Sequence, residues 1–130
     1  MTLDTLIDQA IAVSKNAYAP YSHYHVGAAL HTPDGSVICG CNVENASYPV
    51  GVCAERGAIA KAISDGHQTF DMIVIATLNG GSPCGMCRQM LYEFAPDLRV
   101  VCVTFDKQII IDAPLRELLP YGFSPQDLPR

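Results

Sequence analysis

Three of the six cysteines in this 130-residue chain fall where helices are expected to begin, and that placement constrains the fold more than any other feature. Cys53-Ala54-Glu55-Arg56 opens a helical stretch that runs to Gly66, and Pro83-Cys84-Gly85-Met86-Cys87-Arg88 opens another that ends at Pro96. A helix start has unpaired N–H groups and a partial positive charge, so a thiol there is more easily held as thiolate, the form that binds metal. Cys84 and Cys87 lie within one turn and can face one ion. Alone, such a pair reads equally well as a dithiol redox motif or as half of a zinc site. Cys53 shifts the balance by adding a third thiolate from a second helix start. Three protein ligands leave the fourth tetrahedral position of zinc open, which is the arrangement of catalytic sites.

The neighbours of these cysteines suit that chemistry. Glu55, two residues beyond Cys53, is placed to act as a general acid and base beside a metal-activated water. A first-turn glutamate stabilised by the helix dipole is the plain alternative. Three thiolates outweigh the charge of one zinc ion, and Arg56 can offset the excess by donating hydrogen bonds to the sulfurs. Arg88 is a weaker candidate for the same task. A disulfide framework would require a small secreted chain, and the sequence offers no sign of one. Cys39, Cys41 and Cys102 are therefore read as small buried hydrophobes.

Around these motifs the chain reads α-β-β-α-β-α-β-β-α. Leu3, Leu6, Ile7, Ala10 and Ile11 recur at helical spacing, which predicts a first helix over about residues 3–17. Val26 to His31 and Val37 to Val43 flank Thr32-Pro33-Asp34-Gly35, a hairpin turn. Met72 to Leu78 is the apolar run of a strand covered on both faces. Val100 to Thr104 and Gln108 to Asp112 give two more strands, and Leu115 to Leu119 a last helical turn. The pattern suggests one α/β domain over residues 1–130, with a sheet of about five strands and helices on its faces.

Only 16% of residues are charged and 49% are hydrophobic, where ordinary domains carry about a quarter charged. That dryness suggests surface covered by another subunit. With Lys and Arg numbering 8 against 13 Asp and Glu, the net charge is −5. Without a basic cluster, a polynucleotide partner is not expected. Neither a signal peptide nor a bilayer span is visible, so a cytoplasmic location and no membrane partner are expected.

Together these motifs resemble the small homotetrameric cytidine deaminases, whose zinc signature is a His or Cys, then x-Glu, then Pro-Cys-x-x-Cys. The resemblance runs through Pro20-Tyr21-Ser22, Val26 to Leu30, Gly40 to Tyr48, Cys53 to Arg56, Ser82 to Gln89, and Leu118-Leu119-Pro120 with Phe123. It implies a three-layer α/β/α sandwich with a mixed five-stranded sheet and one zinc ion per subunit, held by Cys53, Cys84 and Cys87. It also implies a nucleoside substrate. Asn42 and Glu44 would bind the ribose, an amide and a carboxylate being suited to sugar hydroxyls. Asn45, Tyr24 and Phe123 would line the site, with Ala46 and Tyr48 reaching in from a neighbouring subunit of the homotetramer. Tyr24 stands where the family usually has Phe, next to His25, and the connection from Leu78 to Pro83 is short. The four histidines lack ligand spacing relative to the cysteines and are read as structural or surface residues, with His25 the one exception worth testing.

The expected reaction is hydrolytic deamination of cytidine and 2'-deoxycytidine, in pyrimidine salvage, by water that zinc activates to attack carbon 4. Glu55 would shuttle the proton. An aminohydrolase for a modified cytosine nucleoside such as blasticidin S is the near alternative, and a noncatalytic zinc or dithiol redox module the distant one.

Overall fold

The computed structural model describes residues 2–129. Thr2 caps the first helix, its hydroxyl accepting from Thr5 N–H at 3.2 Å. This helix, α1 (Leu3–Ser14), buries Leu6, Ile7, Ala10 and Ser14 along one stripe. It ends three residues sooner than its periodicity predicts. Beyond Ser14 the chain tightens into three-residue turns and then enters an extended bridge between Tyr18 and Val43.

Strands β1 (Gly27–His31) and β2 (Val37–Cys41) form the expected antiparallel hairpin, with Gly35 at φ +90° in its turn. β2 stops at Cys41 and does not reach Val43. The Asn42 side chain takes over there, accepting from Val26 N–H at 2.9 Å and donating to Tyr24 C=O at 2.8 Å, while Val43 turns away to pair with Tyr18 and Val52.

The chain continues through α2 (Ala54–Ser64), β3 (Met72–Thr77), α3 (Gly85–Phe94), β4 (Arg99–Thr104), β5 (Ile109–Pro114) and α4 (Leu115–Leu118). The five-stranded sheet has the order β2-β1-β3-β4-β5. Only β3 and β4, joined across α3, run parallel; the other pairings are antiparallel. The sheet is therefore mixed. Period-two alternation separates two cores. Ala28, Leu30, Ile73, Ile75, Val100 and Cys102 face α2, α3 and α4, whereas Ala29, Val74, Ala76, Val101 and Val103 face α1. Helices thus cover both faces of the sheet, which is the three-layer sandwich. β3 is buried on both sides from Ile73 to Thr77, as its unbroken apolar run predicts.

Cys102 is fully buried, as expected. Cys39 and Cys41 are only half-buried, a departure from their reading as core, because β2 is an edge strand. At Gly40 the strand lies so close to α2 that a Cβ would fall 2.6 Å from Ala54 C=O and 2.7 Å from Ala58 N. That contact sets the height of the α2 N-terminus over the sheet. Among the described residues no helix is long and apolar enough to cross a membrane.

Candidate metal centre and adjoining pocket

Cys53 and Cys84 are the N-cap residues of α2 and α3, and neither thiol caps its own helix. Cys87 sits in the first turn of α3, fully buried. The two helix starts converge, and the three sulfurs lie within 4.8 Å of one another. Cys53 and Cys84 are 3.8 Å apart and Cys84 and Cys87 3.4 Å. Sulfurs bound tetrahedrally at about 2.3 Å would stand about 3.8 Å apart, so the donor set and its spacing fit zinc.

Ionisation is shared unevenly in this cluster. The Cys53 thiol is lowered to about 5, first by a hydrogen bond from Cys87, with further help from Cys84 and from the hydrogen bond and charge of Arg56. The same bond holds the proton on Cys87, whose thiol is pushed well above its ordinary range. Burial raises the Glu55 carboxyl, and the Cys53 charge adds to the effect. Glu55 is 4% exposed. A carboxyl in that setting takes up a proton more readily than one in water.

The two arginines divide. Arg56 reaches Gly51 C=O at 2.9 Å through Nη2 and keeps a buried Nε without a partner. Arg88 does not serve the sulfurs as its weaker candidacy suggested. It donates to Pro83 C=O, Leu118 C=O and Ser82 Oγ, tying the approach to Cys84 against the end of α4.

Beside the cysteines lies a pocket of about 300 Å³. It is lined by Cys53, Cys84 and Glu55, by Asn42, Glu44 and Ser22, and by Tyr24, Val26 and Ile75. Glu44 accepts from the N–H groups of Tyr21 and Ser22 at 3.0 and 3.1 Å and from the Ser22 hydroxyl, which holds its carboxyl below the usual range. Asn42 retains one amide N–H beyond its backbone bonds.

Other residues expected at the site lie apart from this pocket. Asn45 and Tyr48 line a separate hollow of about 370 Å³ that shares Ser22 and Glu44 with it. Ala46 is exposed, and Tyr48 is 75% exposed, its ring edge-on to Tyr21 at 5.9 Å. Phe123 is 54% exposed and lines neither hollow. His25 faces away, with Nδ1 3.3 Å from Ser14 C=O and Phe105 nearby. Thr77 and Gly81 also line the pocket, and sequence reasoning missed them. The available signal was their place at the carboxyl end of a central strand, where open α/β sheets bind ligands.

Residues 1–104 match the model of the family described as the cytidine and deoxycytidylate deaminase zinc-binding region. The chain is 41% identical over 130 residues to a cytidine deaminase of Sporosarcina psychrophila, covering 98% of this chain and 96% of that one. A solved cytidine deaminase from Burkholderia pseudomallei superposes with a TM-score of 0.90 at 43% identity, covering 95% of this chain and all of that one. A blasticidin-S deaminase of Bacillus cereus is 34% identical over 111 residues, 78% of each chain.

Proposed function

The chain belongs to the cytidine and deoxycytidylate deaminase family and carries its zinc-binding region, and from that premise we propose that it hydrolyses the 4-amino group of cytidine and 2'-deoxycytidine. The products would be uridine and 2'-deoxyuridine, and the role pyrimidine salvage in the cytoplasm. The observation that carries this reading is a buried carboxyl, Glu55, beside three converging thiols in a pocket that Asn42 and Glu44 also line.

Zinc held by Cys53, Cys84 and Cys87 would supply a water of lowered pKa, a nucleophile at neutral pH. Glu55 would take one proton of that water on a carboxylate oxygen and pass it to ring N3 as the hydroxide adds to carbon 4. It would then take the proton of the new C4 hydroxyl and deliver it to the amino group, which leaves as ammonia when the C4–N bond breaks. Burial supports the role, because it favours the neutral carboxyl midway through the cycle. Arg56 offsets thiolate charge. Asn42 with its spare N–H and Glu44 with its lone pairs hold the ribose. Tyr24 packs beside the base; Asn45 and Phe123, which the single chain keeps outside this pocket, would join it only in the assembled oligomer. Ala46 and Tyr48 reach the site of a neighbouring subunit in a homotetramer, a role to which their exposure is suited.

Purified protein is assayed by ultraviolet absorbance on cytidine, 2'-deoxycytidine and blasticidin S, with zinc measured on the same sample. Cytidine turnover with one zinc per chain is the expected result. The 34% identity to a blasticidin-S deaminase favours a second reading, and turnover of blasticidin S alone would replace the first with it.

A further inference from the structure

Tyr24 and the short loop from Leu78 to Pro83 are two of the places where the sequence leaves the pattern it resembles, and in the structure they meet. The Tyr24 hydroxyl donates to Asn79 Oδ1 at 2.6 Å. That oxygen also accepts from Gly81 N–H at 3.2 Å and from the Thr77 hydroxyl at 3.3 Å. The Thr77 oxygen in turn accepts from Gly80 N–H at 2.7 Å. Three donors on one oxygen fix the amide's orientation.

The loop has little room to shift. Gly80 holds φ +71°, and a Cβ there would lie 2.9 Å from Ile110 Cβ; one on Gly81 would lie 3.2 Å from the Tyr24 hydroxyl oxygen. The Tyr24 backbone is fixed just as firmly on the opposite side. Its N–H donates to Ser22 Oγ at 3.0 Å, and its C=O accepts from Asn42 at 2.8 Å. The tyrosine therefore links Asn42, across the pocket lining, to the loop that carries Ser82 and Cys84.

We propose that the Tyr24–Asn79 hydrogen bond is a specificity determinant, holding this wall rigid so that the pocket admits an unsubstituted cytosine ring and disfavours one enlarged by a methyl group. The proposal rests on the deaminase reading above. Pockets discriminate a single methyl group by about 10- to 200-fold, and a wall that yields loses part of that. Phenylalanine would keep the ring of Tyr24 and lose the tie. Only the acceptor oxygen of Asn79 is required, so aspartate can replace it and alanine cannot.

The test measures kcat and KM for cytidine and 5-methylcytidine in the zinc-loaded wild type, Tyr24→Phe, Asn79→Ala, the double variant and Asn79→Asp. Melting temperature is followed alongside. The ratio of kcat/KM for cytidine over 5-methylcytidine should fall about fivefold in each of the first two variants, on the order of one neutral hydrogen bond. It should fall no further in the double variant and return in Asn79→Asp. A purely structural contact would lower both substrates together and leave the ratio unchanged. Wild-type ratios in Tyr24→Phe and Asn79→Ala, reductions that multiply in the double variant, or an Asn79→Asp that behaves like the alanine variant would each overturn the proposal. Failure of the wild type to act on cytidine would overturn the deaminase reading with it.

Discussion

The six thiols form two populations with opposite chemistry. Cys53, Cys84 and Cys87 sit at the starts of two helices, whereas Cys39, Cys41 and Cys102 sit in strands of the sheet. At the helix starts Cys53 is lowered to about 5 because its partner Cys87 keeps the proton they share and is raised in turn. In the strands, burial raises Cys39 and pushes Cys102 up to about 12. One residue type therefore supplies candidate metal ligands at the helix starts and, at Cys102, buried core filler in the sheet, while Cys39 and Cys41 sit half-buried on an edge strand. Local backbone position and neighbouring donors make the difference.

The contrast is broken most directly by exchanging the two groups. Cys53→Ala should abolish zinc retention and turnover together, while Cys39→Ala and Cys102→Ala should keep one zinc per chain by elemental analysis. Full zinc in Cys53→Ala would remove the distinction. A step smaller, Glu55→Gln should keep the metal and lose about 10²- to 10⁴-fold in kcat, the usual worth of a positioned acid and base. Near-normal turnover would leave Glu55 as a helix-start glutamate and nothing more. Smaller again, Arg56→Ala should weaken zinc retention or kcat about 10- to 100-fold with little change in melting temperature. Unchanged kinetics and zinc content would mean that the helix starts alone offset the thiolate charge.

Much of this contrast is legible in the sequence because it depends on local signals. Helix boundaries near Cys53 and Cys84 and the doubly apolar run of β3 follow from patterns over a few residues. The misplaced details depend on partners distant in the chain. β2 ends early because Asn42 bonds to Val26 and Tyr24, contacts 16 and 18 residues away. Arg88 leaves the sulfurs because Leu118 C=O, 30 residues on, takes one of its donors. Asn79 carries no motif, and its meeting with Tyr24 across 55 residues exists only once the sheet has formed. The half-exposure of Cys39 and Cys41 likewise follows from strand order, since an edge strand is covered less than a central one.

The smallest expected effect lies in the second population and is read through pH. Cys102 is fully buried in β4, and desolvation is the main cause that lifts its thiol to about 12 from an ordinary 9.0, with the Glu55 charge adding to it. A raised value means that the folded state binds the proton more tightly than the unfolded chain. Its contribution to stability is therefore complete below pH 9 and declines as pH rises toward 12. Cys102→Ala removes that titration and leaves a small cavity, which lowers the melting temperature below pH 9, where the thiol is neutral in both states. Subtracting the variant's melting temperature from that of the wild type should give a difference that is flat from pH 6 to 9 and shrinks above it. Zinc-site changes at high pH are common to both proteins and cancel in the subtraction. A difference that stays constant to pH 11 would show that Cys102 ionises with no penalty in the core, and the separation between the two sets of thiols would then rest on the helix starts alone.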